Sequence, residues 1–247
     1  MRWIYISPHL DDGVLSAGGL IHDQSRAGQH VEIWTLVCGF APAGELSPLA
    51  QVLHFQWGFT SADETVHKRR QEDDFAAMHV GAWVLHFEGF PDCIYRRDSD
   101  GQPLYPMDVF AEMQPADADL PGKMTAALAK LLQPEDVVVC PLAIGGHVDH
   151  RIVRKAVEGL GRPLLYFVDV PYVLNHPEEL EPATRSMQPE THQISEKGLQ
   201  AWVKGIEQYK SQLSTLFENT ETVSHLDKMK EAMEHYGWEG IRLYNLG

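Results

Sequence analysis

Short apolar runs, rich in β-branched and aromatic residues, alternate with segments of helical periodicity over the first 170 residues. The runs cover residues 3–7, 31–38, 82–87, 136–141 and 164–170. Runs of this length and composition mark strands buried on both faces. Residues 14–27, 67–80, 123–132 and 148–160 read as the intervening helices. Val14, Leu15, Gly18, Leu20 and Ile21 form the inward stripe of the first, and Phe75, Ala76 and Met78 that of the second. Strand–helix alternation of this kind folds as an α/β, doubly wound, mostly parallel sheet with right-handed crossovers and helices on both faces. The expected strand order is 3-2-1-4-5.

Two stretches break the alternation, residues 39–61 and 89–121, both punctuated by proline and glycine. They are read as loops that form the rim of a site. After residue 170 the chain becomes Pro- and Glu-rich, then helical over 197–217 and 226–235, with a last strand possible at 241–246. The expectation is one domain, 1–247, with a core at 1–170 and a helical extension at 171–247 packed on it. An apolar face on those helices has two uses, packing on the core or a homo-oligomer contact; packing is the expectation.

The formal charge is -15, from 20 Lys+Arg against 35 Asp+Glu. Such a field repels phosphate backbones, so no nucleic-acid partner is expected. Cys38, Cys93 and Cys140 are odd in number and form no C-x-x-C pair. Cys38 and Cys140 read as small buried hydrophobes near strand ends. Free thiols, the absence of a signal-peptide pattern and the absence of a membrane span together point to the cytoplasm.

Ser7-Pro8-His9-Leu10-Asp11-Asp12 follows the first strand. Doubly wound sheets bind ligands outside the carboxyl ends of their strands, beside the switch point. His9 and Asp12 are ligand types for zinc, three residues apart on a strand-to-helix turn. Asp11 can aim a carboxylate at a water on that metal. The competing use of Asp11 or Asp12 is as N-cap of the first helix. Gly18-Gly19 lies inside that helix, so it reads as close helix–sheet packing and not as a phosphate loop.

Gly145-Gly146-His147-Val148-Asp149-His150 follows the fourth strand. In the expected order this loop faces the first motif across the crevice. One of its imidazoles would complete a set of two His and one carboxylate, leaving positions open for water and substrate. The other is then free as an acid or an electrostatic group. Asp149 can bond one of these two imidazoles and fix its tautomer, or sit as a dipole-favoured charge in the first helical turn.

Together the motifs resemble the PIG-L/LmbE-like deacetylase family. Pro8-His9-Leu10-Asp11-Asp12-Gly13 stands where that family usually has Pro-His-Pro-Asp-Asp-Glu, and His147-Val148-Asp149-His150 where it has His-Pro-Asp-His. Weaker similarities lie in Arg69-Arg70-Gln71-Glu72, followed by Ala76 and Val80-Gly81, and in Gly89-Phe90-Pro91-Asp92. The resemblance implies a Rossmann-like fold and metal-dependent removal of an N-acetyl group from an amino-sugar-like small molecule or glycoconjugate. It implies His9, Asp12 and His150 as ligands of Zn2+, with Fe2+ as the other candidate. Asp11 would be the general base, and His147 would steady the oxyanion or protonate the leaving amine. Arg69 and Asp92 would contact substrate, although Arg69 also fits an i,i+3 pair with Glu72. Leu10, Val148 and Gly13 depart from the family pattern, as does Gly145, where some members carry a tyrosine; Tyr172 is the candidate substitute.

Three rival readings remain open at this point. Two His and one carboxylate also describe non-haem Fe(II) oxygenases. Gly13 and Gly145 favour a non-catalytic metal- or sugar-binding module. The hydrolysed bond can also be a different amide. Trp57, Phe59, Tyr95 and Tyr105 in the two long loops can stack on a sugar face or serve local packing.

Overall fold

The computed structural model describes residues 1–216 and 240–247. In chain order the strands and helices are β1 Arg2–Ser7, α1 Asp12–Arg26, β2 His30–Thr35, α2 Pro48–Trp57, α3 Ala62–Val80 and β3 Trp83–His86. They continue with α4 Leu120–Ala129, β4 Val137–Pro141, α5 Val148–Glu158, β5 Leu165–Phe167, α6 Tyr172–Asn175 and α7 Leu180–Thr184. β6 Gln188–His192, α8 Glu196–Ile206, α9 Leu213–Leu216 and β7 Ile241–Asn245 complete the set. The single helix expected over 197–217 is broken by turns at 207–212 into α8 and α9; residue 217 and the whole expected 226–235 helix lie outside the described residues.

The sheet has seven strands in the order β3-β2-β1-β4-β5-β7-β6. The first five pair in parallel, as the alternation requires, and β7 and β6 join antiparallel. β1 lies between β2 and β4, so the chain winds outward in both directions from it. Right-handed crossovers then place helices on both faces. α1, α3 and α8 pack against one another, while α4 pairs with α5. Among the described residues, no helix is long and apolar enough to cross a membrane.

Several expectations need correction. The 39–61 stretch contains α2, whose start is signalled by the Ser47 cap and Pro48 in the first turn, and whose end is signalled by Gly58 at φ 77°. α3 starts at Ala62, five residues earlier than expected, because Ser61 accepts from the Glu64 amide. Phe75 and Met78 point outward, 54% and 74% exposed; the buried face of α3 carries Val66, Arg69, Asp73, Ala76, Ala77 and Val80. A face selected for charged groups cannot be found by hydrophobicity. β6 is an exposed edge strand, QPETH, whose proline and glutamate hid it.

Gly18 and Gly19 serve a helix–helix contact and not the sheet. A Cβ on Gly18 would lie 2.5 Å from Trp202 Cδ1, so α1 and α8 meet only because glycine is there. Trp202 is 2% exposed, and its indole N–H donates to the Val14 carbonyl at 2.6 Å. Trp202→Ala is expected to cost about 3–5 kcal/mol in urea unfolding. Phe75→Ser should change stability by less than about 0.5 kcal/mol.

Candidate active site

The carboxyl ends of β1, β4 and β5 deliver the site. Beyond β1, the Ser7 hydroxyl donates to the His9 carbonyl at 2.6 Å and accepts from the Gly13 amide at 2.9 Å. Ser7 thus does the work of a cap. Asp11 stands at the N-cap position but makes no side-chain cap bond, and Asp12 Oδ2 turns back to accept from the His9 amide at 2.8 Å. Both carboxylates are thereby left for the crevice. Beyond β4, Ala143, Gly145 and Gly146 all adopt positive φ, which folds the loop tightly and starts α5 at the crevice.

Donor atoms from the two loops converge. Asp12 Oδ2 lies 3.4 Å from His9 Nδ1 and 3.3 Å from His150 Nε2. Atoms held ~2.05 Å from a tetrahedral zinc are ~3.3 Å apart, so these separations match the edges of a zinc coordination tetrahedron. His150 Nε2 is buried with no hydrogen-bond partner. The outward nitrogens of both rings are held by acids, His9 Nε2 by Asp149 Oδ2 at 3.1 Å and His150 Nδ1 by Asp169 Oδ1 at 2.8 Å. Carboxylates behind imidazoles are the usual surroundings of metal-ligating histidines. His147 also brings a ring nitrogen within 4.8 Å of those of His9 and His150. Its Nδ1 accepts from the Asp149 amide at 3.2 Å, which leaves the proton on Nε2.

Charge points the same way. Asp11, Asp92 and Asp149 face two guanidiniums, Arg69 and Arg96, while Asp12 and Asp169 face His9 and His150, and all five acids but Asp92 are almost fully buried. Burial opposes protonation of His150, yet Asp12 and then Asp169 push it up to about 9. Burial likewise disfavours the Asp12 anion, but His150 and His9 hold it well below the usual carboxylate range. Burial, and then the neighbouring Asp12, push Asp11 up to about 6. Burial and then His9 hold His147 well below the ordinary imidazole value, so it is neutral. An anion-rich cluster with a vacant-handed buried nitrogen fits a divalent cation.

Residues 4–160 match the PIG-L family, described as GlcNAc-PI de-N-acetylase. The chain belongs to the PIG-L family. It is 30% identical over 203 residues to 2'-N-acetylparomamine deacetylase of Niallia circulans, a match covering 75% of this chain and 73% of that one. Its structure is similar to the zinc-inhibited form of teicoplanin deacetylase, with a TM-score of 0.82, 26% identity and coverage of 99% and 97% of the two chains. A40926 pseudoaglycone deacetylase is also similar, with a TM-score of 0.73, 25% identity and coverage of 99% and 95%.

This PIG-L member brings together all eight residues singled out from its sequence, with two changes of partner. Asp149 bonds His9, from the other motif, and not the side chain of His147 or His150. Arg69 does not pair with Glu72: its Nη2 lies 3.4 Å from Asp11 Oδ2 and its Nη1 3.9 Å from Asp92 Oδ2, with its guanidinium 4.9 Å above the Trp57 ring. Tyr95 and Tyr105 are 4% and 1% exposed, so local packing is their role, while Trp57 lines the pocket. The sequence reading passed over Asp169, although an acid just past a strand end beside β4 was a signal. It also passed over Arg96, which lies 2.6 Å from Asp149 Oδ1 and donates through Nε to Asp117 at 2.9 Å. Asp169→Asn is expected to weaken metal affinity roughly 10- to 100-fold, read by competition with a chromogenic chelator. Arg96→Met leaves Asp149 buried without its cation, and should cost about 3–5 kcal/mol in stability.

Proposed function

We propose that this protein is a metal-dependent N-deacetylase that hydrolyses the amide between an acetyl or similar acyl group and the nitrogen of an amino sugar. The observation that carries this reading is that Asp12 Oδ2 stands 3.4 Å from His9 Nδ1 and 3.3 Å from His150 Nε2, beside a pocket lined by His9, Asp11 and Asp12. Two imidazoles and a carboxylate at this spacing favour zinc, with Fe2+ as the alternative that metal analysis separates. His9, Asp12 and His150 would hold the ion. A cation held there supplies a water of lowered pKa and a charge that polarises the acyl oxygen.

The chain's own groups do the rest. Asp11 takes the proton of the attacking water and returns it to the departing nitrogen. Arg69, beside Asp11, keeps that carboxylate aimed into the pocket. Neutral His147 offers its Nε2–H to the developing oxyanion. Asp92 and Arg69 face the same space and suit sugar hydroxyls as acceptor and donor. The cavity is about 330 Å³, at the small end for ligand sites, so it suits one sugar ring of a small molecule or glycoconjugate while the remainder stays outside. Trp57 and Phe110 supply apolar surface for a ring face. Cys38, Cys93 and Cys140 are free and buried, which suits a reducing cytoplasm.

Amine release from a panel of N-acetylated amino sugars, measured with metal content, tests the proposal. Activity abolished by chelator and restored by zinc is the expected result; folded protein without metal would overturn it. Asp11→Ala should lower turnover roughly 10²- to 10⁴-fold and still bind metal. His150→Ala should lose the metal, and full occupancy would remove His150 from the ligand set.

A further inference from the structure

Glu72, which the sequence spacing pairs with Arg69, turns instead to the tail of the chain. Its Oε1 accepts from the Ser211 amide at 2.9 Å and its Oε2 from the Ser211 hydroxyl at 2.6 Å. The next acid on α3, Asp73, accepts from the Tyr209 hydroxyl at 3.0 Å. Two adjacent carboxylates thus fasten the turn between α8 and α9 to the helix that carries Arg69. At and beyond that turn, Gln212, Thr215 and Leu216 line the pocket that also holds Asp11, Asp12 and His147.

A serine hydroxyl has one proton to give, and a carboxylate can only accept. Ser211 gives its proton to Glu72, so toward Gln212 its oxygen can only accept. The Gln212 atom 2.9 Å from Ser211 Oγ is therefore Nε2. The two ends of a glutamine amide are told apart by their hydrogen bonds, and here the network assigns them. Oε1 is left over. Among the described residues it accepts no hydrogen bond, and unlike the indole nitrogen of Trp57 it is not sealed in the interior. Gln212 is only 4% exposed, and the surface it reaches is the pocket wall. The Thr215 hydroxyl is already given to the Gln212 backbone carbonyl at 2.8 Å. Through Gln212 the tail therefore offers the pocket an acceptor whose orientation is set in advance. A neutral carbonyl matches a hydroxyl. An ammonium buried against it alone would lose hydration with no charge to replace it.

We infer that Gln212 is a substrate-binding residue: its side-chain carbonyl accepts a hydrogen bond from a hydroxyl of the amino sugar or of the group attached to it, and Glu72, acting through Ser211, decides which end of the amide meets that hydroxyl. The inference rests on the deacetylase reading above. Gln212 is thus a contact for the substrate's own hydroxyl pattern, supplied by a segment outside the stretch that matches the family. A bond of this kind is made before the reaction and persists through it, so it acts on binding and not on turnover.

The test is Gln212→Met, which keeps side-chain length and the backbone bonds of the turn, assayed on a substrate that the wild type hydrolyses. Expected are a KM raised roughly 3- to 10-fold and a kcat within about twofold. Metal content should match the wild type, and calorimetry with the free amino-sugar product should show the same loss of affinity. Ser211→Ala, which frees the amide to turn over, should raise KM roughly 2- to 4-fold, and Ser211→Thr, which restores a hydroxyl, should recover most of that loss. A set of monodeoxy substrates identifies the partner. For one of them the wild type should lose the same factor as Gln212→Met, while the variant loses nothing further. Unchanged KM in the Met variant, a fall in kcat or metal content in place of a KM effect, or losses that add for every hydroxyl removed would each overturn the assignment and leave the deacetylase reading standing. A wild type that hydrolyses nothing on the panel would instead remove that reading and this role with it.

Discussion

The carboxylate of Asp149 is the joint on which the site turns. It is fully buried, and a buried anion must be matched on all sides or it destabilises the fold. His9 Nε2, the Cys93 amide and Arg96 supply the match. They come from two separate stretches of sequence and Asp149 itself from a third, so one side chain sets the distance between the β1 loop, the β4 loop and the long segment after β3. Burial alone would protonate it, but Arg96 and then His9 hold Asp149 well below the usual carboxylate range. Tyr105 and Arg96 both reach Asp117, so the long segment is braced internally as well. Its irregular backbone is therefore a support for His9 and not a free rim.

The two imidazoles nearest Asp12 share one design. Each turns one nitrogen toward Asp12 and the other toward a buried acid from a different strand end. Asp169 does for His150 what Asp149 does for His9. Ring orientation and tautomer are thus fixed before any ligand arrives, which lowers the entropic cost of assembling the site. His147 lacks such an acid behind it and is neutral, which separates it in character from its two neighbours although all three rings touch.

Much of this was legible in the sequence, for a physical reason. Parallel strands buried on both faces leave a nearly continuous apolar trace, and the residues that follow them are confined to one edge of the sheet. His9, Asp11, Asp12, His147 and His150 could be placed from that rule alone. What escaped depends on distance or on the reversal of a pattern. The partner of Asp149 is 140 residues away, and nothing local distinguishes His9 from His147 as its donor. Arg96 sits in a segment without periodicity. Asp73 and Arg69 lie on the inner face of α3, where their polarity disguised burial, and Asp73 binds Thr35, His86 and Tyr209 at once. β6 failed to register because an edge strand needs no apolar trace.

The Trp202 contact with Gly18 has a consequence for how such a chain can vary. The indole fastens the first turn of α1, directly behind Asp11 and Asp12, from a segment that lies beyond the stretch matching the family. A few residues further on, Gln212, Thr215 and Leu216 form part of the pocket wall. One rivet therefore separates two duties of the same tail. Mutational drift past it can reshape the wall that meets a ligand while the acids stay in register, and drift at the rivet itself disturbs both.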